Sequence, residues 1–180
     1  MKNLVITVSM LILCSFFLQF QIDVNLLERQ TLRVKYTADR MACAASLPLD
    51  EERFGQGFRV FVPEEAIPLA LECLKGSLGY GSDYAPSENT YFSETAVVEL
   101  YFFDDSLQMR HYRNGQFIDS AAFAYGDAIG TYVPRAEEAG YGLIERPCVA
   151  CVIDAGRPRF QVDIAPPSVR VVQSSVYEYR

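Results

Sequence analysis

The feature that most constrains this chain is a run with no charge. Between Lys2 and Asp23 there is no ionisable carboxylate, amine or guanidinium, so Asn3–Ile22 is an uncharged stretch of 20 residues. As an α-helix at about 1.5 Å per residue it matches a bilayer hydrocarbon core of roughly 30 Å. Apolar side chains are densest over Leu4–Leu18, and Gln19 and Gln21 fall at its far end. Lys2 precedes the run and Asp23 follows it, so the bias of basic residues toward the cytoplasmic flank predicts a single-pass anchor with the N-terminus inside. Residues 1–22 are then the membrane segment, and everything after Asp23 lies outside the cytoplasm. A cleaved signal peptide is the competing reading. It requires small residues just after the apolar core. Phe16-Phe17-Leu18-Gln19-Phe20-Gln21 supplies none, and Leu13 stands where a lipoprotein signal ending at Cys14 requires a small residue.

The helix has no reason to stop at the membrane. No proline or glycine occurs before Pro48, so one helix is expected from about Leu4 to Ser46. Within residues 23–46, the positions Val24, Leu27, Thr31, Val34, Ala38, Met41 and Ala45 recur at alternating steps of three and four. That spacing collects them in one stripe, away from most of Glu28, Arg29, Arg33, Lys35 and Arg40. A stripe of this kind has to be covered. Two partners fit: the chain's own outer domain, or a neighbouring copy in an assembly.

Residues 47–180 form the outer domain. Phe58–Val62 alternates like a short strand, and a helix is expected from Pro63, with Glu64 and Glu65 beside its positive end and Gly76 and Gly79 closing it. From Thr90 the pattern is β. Ala96–Phe103, Leu107–Tyr112 and Phe117–Phe123 read as a meander, with Asn114-Gly115 the strongest short hairpin signal in the chain. A short helix near Ala136–Ala139, then strands at Cys148–Ile153, Arg159–Ile164 and Val169–Tyr179, complete an expected α+β fold: a long N-terminal helix, a mainly antiparallel sheet and one or two flanking helices. The abundance of Tyr and Phe, 11 and 12 residues, suits a pleated sheet.

Charge excludes whole classes of partner. The formal net charge of -7 argues against nucleic acid, whose phosphates call for a surplus of Lys and Arg. It argues equally against a polybasic membrane patch. Cys148-Val149-Ala150-Cys151 has redox spacing, but it lies in a predicted strand, which sends the two thiols to opposite faces. Cys43 and Cys73 lie on the two predicted helices, where a disulfide between them is one option and two unrelated thiols the other. His111, the single histidine, is expected on the surface of the hairpin without a nucleophile motif, and Asp104-Asp105 is expected to accept backbone hydrogen bonds at a turn. No catalytic group, metal site or cofactor is expected.

The stretch after the membrane run carries a resemblance. Asp23 leads into Leu32-Arg33-Val34-Lys35-Tyr36-Thr37-Ala38-Asp39-Arg40-Met41-Ala42-Cys43-Ala44-Ala45. This resembles the TadE/TadG-like proteins of bacterial tight-adherence (Flp-type) pilus systems, in which a membrane helix runs on into an Ala-Asp pair and a run of small residues. Ala38-Asp39 and Ala42–Ser46 are the matching positions, within about 45 of the 180 residues. Two features depart from the pattern. Arg40 replaces the small residue usual after the Asp, and the first glycine is Gly55, whereas prepilin peptidases cut after a glycine that follows a basic leader. The resemblance implies a pilin-like role, with the helix packing in the membrane during assembly, protein partners in the envelope and the outer domain displayed. The alternatives are a tethered module that binds a ligand through the loops at Gly79–Tyr91 and Tyr125–Tyr141, and, third, a thiol enzyme using Cys148 and Cys151.

Overall fold

In a computed structural model, which describes residues 2–88, 90–134, 142–159 and 169–176, the helix runs unbroken from Lys2 to Ala45. This is α1, 44 residues and about 66 Å long. It is followed by a turn and a half of helix at Glu51–Gly55 (α2), capped by the Asp50 carboxylate on the Arg53 N–H, and by α3 at Pro63–Leu78. Five strands follow: β1 Val97–Phe103, β2 Gln108–Arg113, β3 Gln116–Ala122, β4 Cys148–Asp154 and β5 Arg170–Val176. They form one sheet in the order β3-β2-β1-β4-β5, and every neighbouring pair is antiparallel. The fold is α+β, as the sequence pattern predicts.

The sheet is covered on one face by helices and partly on the other by chain. Val98, Leu100 and Phe102 of β1, with Val149, Cys151 and Ile153 of β4, face α1 and α3. The alternate residues Tyr101, Phe103, Ala150 and Val152 form a second cluster with Phe123, Ile129, Val133 and Ile144 of the excursion between β3 and β4. Strand period two explains why residues adjacent in sequence serve different cores. Asn114 and Gly115 adopt positive φ, 48° and 79°, which closes the β2–β3 hairpin as the Asn-Gly pair predicts.

Two expectations need correction. Phe58–Val62 is not a strand of the sheet. Its polar backbone is claimed elsewhere: the Phe61 N–H donates to the buried Asp104 carboxylate, the Val62 N–H to the Pro48 carbonyl, and the Val60 carbonyl accepts from Asp50. Gly76 does not end α3, which continues to Leu78 and closes at Gly79 with φ 74°. Pro68 sits inside α3 without stopping it; lacking an N–H, it forgoes the helical hydrogen bond to the Glu64 carbonyl. The predicted helix at 136–139, most of the strand at 159–164 and the end of that at 169–179 lie outside the described residues.

Asp104 ties the sheet to the helical layer. Its carboxylate is fully buried and accepts from the Phe61 N–H, the Ser106 N–H and hydroxyl, and the Arg110 guanidinium. Arg110 also donates to the Phe61 carbonyl at 2.9 Å. The paired acidic residues thus accept backbone hydrogen bonds, Asp105 doing so from the Arg59 N–H. Removing the carboxylate strands the guanidinium and a buried N–H, so Asp104→Ala is expected to cost about 3–5 kcal/mol of stability. Met41→Ala, which empties a fully packed site on α1, is expected to cost about 2–5 kcal/mol. Val24→Ala, at an exposed site, should stay within about 0.5 kcal/mol. Thermal unfolding of the detergent-solubilised chain, followed by near-ultraviolet circular dichroism, ranks the three.

Candidate functional site

The two halves of α1 have opposite surroundings. Leu4 to Leu18 is apolar and exposed throughout; Leu4 stands at 70% and Leu18 at 61% of full accessibility. None of the most apolar window of this helix is buried, and the helix is long and apolar enough to cross a membrane. Contact with the rest of the chain begins near Gln19 and Phe20, which are half-buried, and becomes full burial at Val34, Ala38, Met41, Ala42 and Ala45. Those side chains share one core with α3, β4 and β5. A division between 23–46 and 47–180 therefore falls inside a single core.

The stripe residues separate accordingly. Val34, Ala38, Met41 and Ala45 are buried, Leu27 and Thr31 are half-buried, and Leu27 packs on the core edge. Val24 departs from the expected stripe: it is 45% exposed, and Asp23, 6% exposed, turns inward in its place. The cause is helical phase. A repeat of 3.5 residues drifts by about 20° per heptad on a straight helix, so across three heptads Val24 lies about 60° from Ala45. Asp39 is also exposed, apart from the packed face. One carboxylate oxygen of Asp23 is buried and makes no hydrogen bond among the described residues.

The second face of the sheet carries a group of polar side chains that sequence reasoning missed. His111 on β2 is not an exposed hairpin residue. Its side chain retains 14% exposure and its ring stacks on Tyr101 of β1, with centroids 4.2 Å apart and planes within 6°. Nδ1 faces the Asp119 carboxylate of β3 at 3.0 Å, which places a proton on Nδ1, while Nε2 is buried with no hydrogen bond among the described residues. The Tyr101 hydroxyl donates to Glu99 at 3.0 Å, and Arg170 of β5 reaches the same carboxylate at 3.5 Å. Burial, then the Glu99 charge and hydrogen bond, push the Tyr101 phenol above its ordinary range, so it stays a donor. This chain of contacts crosses four of the five strands. It can orient an imidazole, but among the described residues no hydroxyl or thiol hydrogen-bonds Nε2, so the arrangement lacks a nucleophile.

The cysteines are structural in their surroundings. Cys148 and Cys151 lie on opposite faces of β4, one in each core, as strand geometry requires. Burial pushes the Cys148 thiol up to about 12 and that of Cys151 higher still. Cys43 and Cys73 are free thiols, the first exposed and the second half-buried, so the disulfide considered between them is absent here. Among the described residues no three His, Cys, Asp or Glu side chains group as metal ligands. A thiol that stays protonated to about 12 when folded, against 9.0 when free, contributes stability below pH 9 that is lost as pH rises through that window. In the native protein at pH 8, a maleimide is expected to label Cys43 and to spare Cys148 and Cys151 until denaturant is added; mass spectrometry of peptides reads this out.

No family model, no curated protein and no solved structure matches this chain.

Proposed function

We propose that this protein is a membrane-anchored, non-catalytic pilin-like or pilus/secretion-system assembly protein, held by its N-terminal helix with the α+β domain outside the cytoplasm. The observation that carries the reading is the division of α1. Among the described residues none of its most apolar window is buried, while its second half is core to the outer domain. A helix of this kind gives the domain a rigid lateral packing element in the membrane, where association is driven by packing between helices. The match of Ala38-Asp39 and the small residues after it to TadE/TadG-like proteins supports the same reading. A tethered module that binds an envelope partner is the second reading. The polar row from Asp119 to Arg170 on the sheet's second face favours it.

The protein is expected in the membrane fraction after carbonate extraction, with a reporter fused after Arg180 active only outside the cytoplasm. Cysteine pairs introduced along Leu4–Leu18 should crosslink between copies on one helical face. A soluble mature form beginning near residues 20–25 would show a cleaved signal and remove the anchor. A membrane protein whose stalk never crosslinks would instead favour the tethered binding module.

A further inference from the structure

Although the chain carries a net charge of -7, four of its 16 basic residues converge on one place. Arg29, Arg33 and Arg40 of α1 line an open groove of about 400 Å³ against Gly76 and Ser77 near the end of α3. Arg33 also lines an adjoining cleft with Lys75. Among the described residues no carboxylate lines either space; Glu72 lines a separate pocket that shares Arg40. Arg40 donates to the Ser77 hydroxyl at 3.4 Å, while Arg29, Arg33 and Lys75 form no ion pair among the described residues.

Two bland explanations fail on the details. Cations complement the carbonyl end of a helix such as α3, but two of its last four carbonyls have other partners: Gly79 N–H takes that of Lys75, and the Thr90 hydroxyl takes that of Leu78. Salt pairing along α1 fails too, because Arg29 and Arg33 are spaced i, i+4, where like charges repel. Gly76 adds a separate signal. It sits inside a helix without positive φ, and a Cβ there would meet nothing within 4 Å. Neither backbone conformation nor close packing accounts for a residue that weakens a helix. Its effect is an unobstructed floor beneath the guanidinium groups.

The position relative to the bilayer indicates the ligand. Ile22, the last residue of the uncharged run, and Val24 and Leu26 beyond it remain exposed on α1. If the apolar layer extends to Leu26, Arg29 stands about 5 Å and Arg33 about 10 Å above it along the axis. Helical side chains lean back toward the N-terminus, which lowers both toward the headgroup layer. We infer that the groove between α1 and α3 binds the phosphate of an anionic phospholipid headgroup, with Arg29 and Arg33 as its principal donors and Lys75 beside them. Guanidinium groups suit this task because they present paired donors to phosphate oxygens. The inference rests on the anchor reading above.

The test uses the full chain in lipid nanodiscs. Flotation with purely zwitterionic vesicles reports the anchor alone, so a chain that fails to float indicts the anchor and not the groove. In nanodiscs, replacing one third of the phosphatidylcholine by phosphatidylglycerol is expected to raise the unfolding midpoint by about 3 °C at low salt. The gain should fade in 0.5 M salt. Arg29→Gln with Arg33→Gln should melt like the parent in phosphatidylcholine and lose the gain. Arg113→Gln, on the hairpin, should keep it. An equal gain in parent and double variant overturns the proposal, as does no gain in a chain that floats. Stabilisation by inorganic phosphate in phosphatidylcholine, with none from phosphatidylglycerol, also overturns it and makes the groove a soluble-anion site.

Discussion

The folded domain depends on the burial of one helical face that belongs, by chain continuity, to the same helix as the apolar N-terminal run. Val34, Ala38, Met41, Ala42 and Ala45 fill the space between α3 and the inner face of β4 and β5. Ala66 and Ala70 of α3 are also fully buried in the same core. Small side chains on both helices let the backbones approach closely. The larger Val34, Met41 and Leu74 fill the remaining volume. Interiors pack to crystal-like density, so loss of this face leaves a void that the sheet cannot close by relaxing. The helix-facing core of residues 47–180 is thus incomplete without α1, while the cluster on the other face of the sheet lies wholly within them.

The sheet between the two clusters divides labour by face. Its inner face is apolar and holds the helices. Its outer face is apolar only under the excursion after β3, and toward Arg170 it becomes a line of hydrogen-bonded and stacked polar groups. Asp104 and Arg110 sit at the β1–β2 end, where they replace the ladder bonds that Phe58–Val62 would otherwise make. Polar groups here fix geometry through satisfied hydrogen bonds, and apolar area provides the driving force.

Much of this was legible from residue order, for identifiable reasons. An uncharged run, a helix free of Pro and Gly, and an Asn-Gly hairpin are local signals, and local signals survive tertiary context. The opposed thiols of Cys148 and Cys151 followed from strand period alone. His111 did not. A regular two-residue hairpin at Asn114-Gly115 would pair His111 with Ile118. The register slips between His111 and Tyr112, so Ile118 is left over and Asp119 meets the imidazole. A bulge leaves no clear trace in apolar patterning, which hid the pair. Asp23 escaped for a different reason: a repeat read at 3.5 cannot follow a face that advances at 3.6. The cationic groove was masked because net charge averages over a surface that the fold sorts by position.

The unbroken helix also sets a compass bearing. Each residue of α1 advances the chain by about 1.5 Å and turns it by about 100°. No glycine, proline or loop separates the apolar half from the packed half to absorb that rotation. The azimuth of the sheet about the helix axis is therefore locked to that of Leu4–Leu18, and under the proposed anchor it is set by whichever side of that segment packs against a neighbour. One residue inserted near Gln21 would lift the domain hardly at all, yet would swing its polar face by more than a quarter turn. In this architecture, information about what lies beside the stalk reaches the outer surface as direction rather than as distance.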